Sequence, residues 1–277
     1  MKTFNFIIFL FSIFGFTSYQ NVNVVGIGDS ITLGYPYDVE SSYSYMVYKY
    51  LEKEYPYYNY TYNNMAVNGL TSSLLLDNLS NNVTLIDSIN KADLVMVSIG
   101  SNDFLSLLNT SSYQDNLDDS IASTVTLLED NLKYLVDYFH YKHPNTKVIF
   151  IPYYNPYNKL ANYSNYTSII NKLNDERDLL NGYLSSLLEK EDNMLYLNNV
   201  IFSLEENNNV TSLTSLDPHP NKMGQTSIYN SIISSNFLSF LEKKDDTLFY
   251  IISIFLLISV IIIIGYIFNK HNKNKVK

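Results

Sequence analysis

Val24-Val25-Gly26-Ile27-Gly28-Asp29-Ser30-Ile31-Thr32-Leu33-Gly34 is the stretch on which the fold turns. A short apolar run ending in glycine is the pattern of a strand buried on both faces, as found in parallel sheets. The glycine allows a sharp turn at the strand's carboxyl end. The turn sets the Ser30 hydroxyl at the rim where open α/β sheets take their ligands. Serine in that place is either a nucleophile or the N-cap of a following helix. A dinucleotide loop is excluded, because the third glycine of G-x-G-x-x-G would fall on Ile31.

Outward from this stretch, apolar runs and amphipathic segments alternate. Strands are predicted at Tyr57 to Tyr62, Asp93 to Ile99, Thr146 to Ile151 and Met194 to Leu197. Helices are predicted at Ser41 to Glu54, Ser72 to Leu79, Val83 to Asn90, Asp118 to Tyr141, Ser164 to Glu189 and Lys222 to Leu241. In the longest clear case, Ile121, Val125, Leu128, Leu132, Leu135 and Phe139 recur at helical spacing. Strands alternating with helices imply a parallel sheet with right-handed crossovers, hence a three-layer α/β/α domain over residues 22–241.

Composition narrows the chemistry. The 277 residues carry a formal net charge of -9, and no Lys/Arg cluster of the kind that grips phosphate backbones lies in the domain, so nucleic acid is not an expected partner. There is no cysteine, which excludes disulfides, thiolate chemistry and cysteine zinc sites. His140, His143, His219 and His271 are the four histidines, and none has metal-site spacing with supporting carboxylates. Neither a metal nor a cofactor is expected. Oligomeric state is not legible.

Both termini point to a membrane. Lys2 precedes an apolar run from Phe6 to Phe16, so residues 1–20 read as a signal peptide or an N-terminal anchor. After a short linker at 242–247, Leu248 to Phe268 is free of charge and long enough, at about 1.5 Å per residue, to cross a hydrocarbon core of about 30 Å. Lys270, Lys273, Lys275 and Lys277 follow in a basic tail at 269–277. Positive charge stays on the cytoplasmic side, so the domain is expected to face outward.

Ester chemistry needs a nucleophile, a base, a group that orients the base and donors for the oxyanion. Ser30 offers the hydroxyl. His219 lies in a proline-framed stretch, with Asp217 two residues before it and Pro218 stiffening the link. An extended Asp-Pro-His segment lets the carboxylate reach Nδ1 and leaves Nε2 for the serine. It reads equally as a capped loop before a helix. Asn102 follows the clearest buried strand, as an amide donor or an ordinary turn residue, and Gly69 ends a polar turn. All lie at or beyond strand ends, so one sheet rim can gather them.

Four blocks in chain order carry a family resemblance. They are Gly28-Asp29-Ser30-Ile31-Thr32-Leu33-Gly34, Asn64-Met65-Ala66-Val67-Asn68-Gly69, Gly100-Ser101-Asn102-Asp103, and Asp217-Pro218-His219-Pro220-Asn221 with Gly224. Together they resemble the SGNH (GDSL) esterase and lipase superfamily across the whole domain. Tyr154-Asn155-Pro156 resembles, more loosely, a bacterial acylhydrolase branch. The resemblance implies a flavodoxin-like fold with a parallel five-stranded sheet and no cofactor. It implies Ser30 as nucleophile, His219 as base and Asp217 as its orienting group. The Ser30 N–H, the Gly69 N–H and the Asn102 side chain would form the oxyanion hole. The expected activity is hydrolysis of a carboxylic ester, with the acyl donor a lipid or an O-acetylated glycan. Acyl transfer to a cell-surface sugar uses the same residues, and an inactive surface binding module remains the alternative of another class.

Overall fold

The computed structural model describes residues 20–108, 117–165, 167–197, 211–212 and 217–242, together with 254, 255, 258, 259 and 261. The strands are β1 (Gln20–Gly28), β2 (Tyr58–Asn64), β3 (Leu94–Ser98), β4 (Lys147–Phe150), β5 (Met194–Tyr196), β6 (Thr211–Ser212) and β7 (Asp217–Pro220). The helices are α1 (Ser30–Leu33), α2 (Tyr43–Glu54), α3 (Ser72–Asn81), α4 (Val83–Asn90), α5 (Ser101–Leu108), α6 (Leu117–Lys142), α7 (Thr167–Leu188) and α8 (Lys222–Ser234). Among the described residues, those up to Leu238 form one compact unit and those from Ser239 a second.

The main sheet has five strands in the order β2-β1-β3-β4-β5, every neighbouring pair parallel. This is the flavodoxin-like order, whose switch point lies between β1 and β3. Strand alternation divides the core. Val25, Ile27, Val95, Val97, Val148 and Phe150 join α3, α4, α6 and α7 in one cluster. Val24, Leu94, Met96 and Ile149, equally buried, point to the opposite face, where α2 packs against β1, β2 and α8. All five β3 residues are buried, as the apolar run from Leu94 predicts.

The sequence-based expectation and the structure differ in a few places, each with a local cause. The expected helix from Ser41 begins at Tyr43, because Ser42 is extended and its side chain accepts from the Tyr45 amide. The expected helix to Leu241 stops at Ser234, followed by Asn236 with φ 59°, a backbone state asparagine tolerates better than most residues. The Asp217–His219 stretch, expected as a loop beyond the sheet, is strand β7. It pairs antiparallel with β6 in a separate two-stranded ribbon.

Apart from Gln20, the expected leader at residues 1–20 lies outside the described residues. So does most of the expected membrane segment, of which Ile254, Phe255, Ile258, Ser259 and Ile261 are helical and exposed. Among the described residues no helix is long and apolar enough to cross a membrane.

Candidate active site

The site begins where β1 ends. Gly28 has φ 102°, and a Cβ there would fall 1.9 Å from the Ser98 carbonyl oxygen, so only glycine lets β1 turn this close to β3. The Asp29 amide donates to that same carbonyl at 2.8 Å. Asp29, not Ser30, caps α1, its Oδ1 accepting from the Ile31 amide at 3.0 Å. Ser30 is therefore the first residue inside the helix, and its hydroxyl is not spent on capping.

Beneath it runs a buried hydroxyl chain. Ser98 Oγ donates to Asp29 Oδ1 at 2.6 Å. Thr32 Oγ1 lies 2.7 Å from Ser98 Oγ and 2.6 Å from the Tyr43 hydroxyl. Each hydroxyl carries one proton, so Thr32 donates to Ser98 and Tyr43 to Thr32. Two side-chain amides pin the helix from outside. Gln225 Nε2 donates to the Ile31 carbonyl at 3.1 Å, and Asn64 Nδ2 donates to the Thr32 carbonyl at 3.1 Å. Asp29 is fully buried, and burial pushes its carboxyl from the usual 3.8 up to about 7 despite the Ser98 and Ile31 bonds. Its Oδ2 has no hydrogen-bond partner.

The ribbon brings the histidine to the serine. His219 Nε2 stands 2.9 Å from Ser30 Oγ. Asp217 Oδ1 is 2.6 Å from His219 Nδ1 and also accepts the His219 backbone amide at 3.0 Å. One carboxylate oxygen thus fixes both the ring and its main chain across a two-residue step, which the extended Asp-Pro-His backbone permits. The Tyr154 hydroxyl donates to the Pro218 carbonyl at 2.6 Å and ties the ribbon to the loop after β4. The Tyr35 ring packs edge-on against the imidazole, with centroids 4.8 Å apart.

The two other predicted donors lie differently. Asn102 sits in the first turn of α5 and lines the same cavity as Ser30 and His219. Its Nδ2 donates to the Leu70 carbonyl at 3.0 Å. An amide NH2 carries two hydrogens, so one donor remains. Gly69 is exposed, with φ 78° and open space at its Cβ position. It is not among the residues lining the cavity, and the Leu70–Asn102 bond joins its turn to α5. Asp103 turns inward, its carboxylate accepting from the Ser72 amide at 2.9 Å and the Ser72 hydroxyl at 2.6 Å.

The cavity beside Ser30 has a volume of about 120 Å³. The loops after β1, β3 and β4 all reach it, as the strand-end rule requires. Tyr153 is among its walls, and its buried hydroxyl has no partner. Elsewhere, His140 Nδ1 lies 2.8 Å from Glu191 Oε2, and burial with neighbouring Lys142 lowers the His143 pKa. Among the described residues no group of His, Asp and Glu can hold a metal ion.

Sequence reasoning missed Ser98, Tyr154, Gln225 and Tyr35. A serine closing an otherwise apolar strand was a usable signal for Ser98. Gln225 and Tyr35 act through contacts remote in sequence, 182 to 194 residues for Gln225, and no local pattern marks them, while Tyr154 stood in the Tyr154-Asn155-Pro156 stretch without a role.

Solved structures share this fold at low identity. The lipase Lip_vut3 from a goat rumen metagenome matches with a TM-score of 0.62 and 17% identity, over 79% of this chain and 98% of its own. TesA matches at 0.55 and 16%, over 79% and 99%. An acetyl xylan esterase variant from Geobacillus stearothermophilus matches at 0.54 and 18%, over 79% and 96%. Among curated proteins none matches this chain significantly. The family model for GDSL-like lipases and acylhydrolases matches residues 27–225, a span that opens within β1 and closes on Gln225, whose side chain bonds the Ile31 carbonyl of α1. With the serine at the strand end and the four blocks on one fold, the chain belongs to the GDSL-like lipase/acylhydrolase family, and its activity is that of a carboxylic ester hydrolase.

Proposed function

We propose that the chain is a membrane-anchored, outward-facing serine esterase in which Ser30 is the nucleophile, His219 the general base and Asp217 its orienting group. The observation that carries this reading is the continuous line from Asp217 Oδ1 through His219 to Ser30 Oγ, at 2.6 and 2.9 Å. Asp217 on Nδ1 selects the tautomer that leaves Nε2 free to accept a proton, and it stabilises the imidazolium that forms.

Ser30 Oγ bonds to the carbonyl carbon of the ester as its proton passes to His219 Nε2. The tetrahedral oxyanion is met by the Ser30 N–H, the Gly69 N–H and the free hydrogen of the Asn102 amide. Collapse breaks the bond from carbon to alcohol oxygen, and Nε2 returns the proton to the leaving alcohol. Water then repeats the cycle on the acyl-serine, releasing the acid and restoring the serine hydroxyl.

The charge-free run from Leu248 to Phe268, followed by four lysines, supports an anchor with the domain outside and the tail within. The test is hydrolysis of p-nitrophenyl esters by the full chain, with Ser30→Ala beside it and fluorophosphonate labelling of both. Loss of turnover by roughly 10⁴-fold or more, together with loss of labelling and an unchanged melting temperature, is the expected result. Near-full activity in Ser30→Ala would overturn the assignment.

A further inference from the structure

The two flanks of His219 are unlike, and they assign the two halves of the ester. Phe104 and Leu105 on α5, Ile121 on α6, Leu173 on α7 and Tyr153 after β4 make the inner wall of the cavity. Ile121 and Tyr153 are buried, at 2% and 6% exposure, so this wall continues the core. Arg177 also reaches the cavity, with its guanidinium bonded to the Asp178 and Asn174 side chains at 2.8 and 3.3 Å. It presents a charge already paired. The other flank of His219 is different. There Tyr35 packs against the imidazole, is 41% exposed and lies outside the cavity lining.

Chemistry fixes which half goes where. Nε2 must hand its proton to the leaving oxygen, so the alcohol lies beside the imidazole. The remaining substituent on the carbonyl carbon is the acyl chain. An acetyl group would cover little of the inner wall and leave its apolar surface in contact with water. Each further methylene buried there adds about 0.8 kcal/mol.

On the reading of Ser30 as nucleophile, we infer that the cavity takes an unbranched fatty acyl chain, well beyond acetyl, and that the alcohol stays outside beside Tyr35. The substrate class is then an acyl ester of a small or solvent-tolerant alcohol, not an acetylated glycan.

The isomers ethyl octanoate and octyl acetate have the same formula and divide their carbons oppositely about the ester, so they test the orientation directly. Hydrolysis by the full chain, followed by proton release below the aggregation threshold of each ester, is expected to favour ethyl octanoate in kcat/KM. The expected margin is at least about tenfold, against roughly fourfold per methylene if every added group were fully buried. Octanoate should also compete for the site at least about tenfold better than acetate, a readout that needs no variant. Leu173→Trp, which narrows the inner wall, should lower the octanoate-to-acetate ratio of kcat/KM for p-nitrophenyl esters by a similar factor. Ser30-dependent hydrolysis that prefers octyl acetate, or shows no preference, overturns this inference and leaves the nucleophile standing. No Ser30-dependent hydrolysis of any ester overturns the nucleophile assignment, and this inference with it.

Discussion

The proposed nucleophile and the proposed base are held by opposite means. Ser30 stands on α1, between two strands of the main sheet, over a buried chain from Tyr43 through Thr32 and Ser98 to Asp29. Gln225 and Asn64 grip the same helix from outside. His219 stands on a ribbon of two short strands, oriented by one carboxylate and tied down by one tyrosine hydroxyl. The serine side is fixed by many bonds inside the core, where an unmade bond is expensive. The histidine side is fixed by few bonds, half-buried. Damage on the first side should therefore appear as lost stability, and damage on the second as lost rate.

The largest test of that contrast is Asp217→Asn. With the wrong tautomer favoured at Nδ1, turnover should fall by roughly 10⁴-fold while thermal unfolding barely moves. A large drop in melting temperature would mean that the ribbon is structural, and the contrast would fail. Asn102→Ala comes next, with an expected loss of roughly 10²–10³-fold in kcat and little change in KM for a short ester. A pure KM effect would remove Asn102 from the oxyanion hole.

Ser98→Ala probes the other side. It strips Asp29 of one bond and leaves Thr32 a hydroxyl short, so denaturant unfolding should report a loss of about 1–3 kcal/mol. A variant as stable as the parent would show that the hydroxyl chain does not hold the helix.

Asp29 gives the same contrast a pH dependence. Its carboxyl rises on folding from 3.8 to about 7, so the folded state holds the proton more tightly than the unfolded chain. Its contribution to stability is complete below the lower value and is lost as the pH rises through about 7. Asp29→Asn lacks that titration. The stability of the parent relative to the variant should therefore decline from pH 4 to 8, measured by denaturant unfolding at each pH. A flat difference would show that Asp29 titrates normally. The smallest expected effect is that of Tyr154→Phe, which removes the bond to the Pro218 carbonyl and should cost about 1 kcal/mol in stability. Its rate should fall more than that of Ser98→Ala relative to the stability each loses, if the ribbon serves the base alone.

Much of this was legible in the chain. The β1 and β3 runs are apolar because both faces of a central parallel strand are covered, so their burial could be read from residue type. The long helix from Leu117 to Lys142 was legible for the related reason that a helix packing one face repeats its apolar residues every three or four positions. The ends of elements were less so. Ser42 and Asn236 set theirs by dihedral angles and single hydrogen bonds that no periodicity records. The Ser30 question, cap or nucleophile, was open for the same reason: Asp29 and Ser30 are both competent caps, and only the backbone turn at Gly28 gives the role to Asp29.

By itself the sequence determined the parallel sheet, the order of its polar rim blocks and the residue types competent for ester chemistry, because burial and reactivity are properties of side chains in local patterns. Tertiary structure alone decided between the two readings of Asp-Pro-His, by bringing His219 Nε2 to Ser30. It also placed His219 on a separate ribbon rather than on the main sheet, and closed an apolar wall beside Ser30. Those depend on distances between residues as much as 189 positions apart. Such distances are set by how layers pack, which no local stretch encodes.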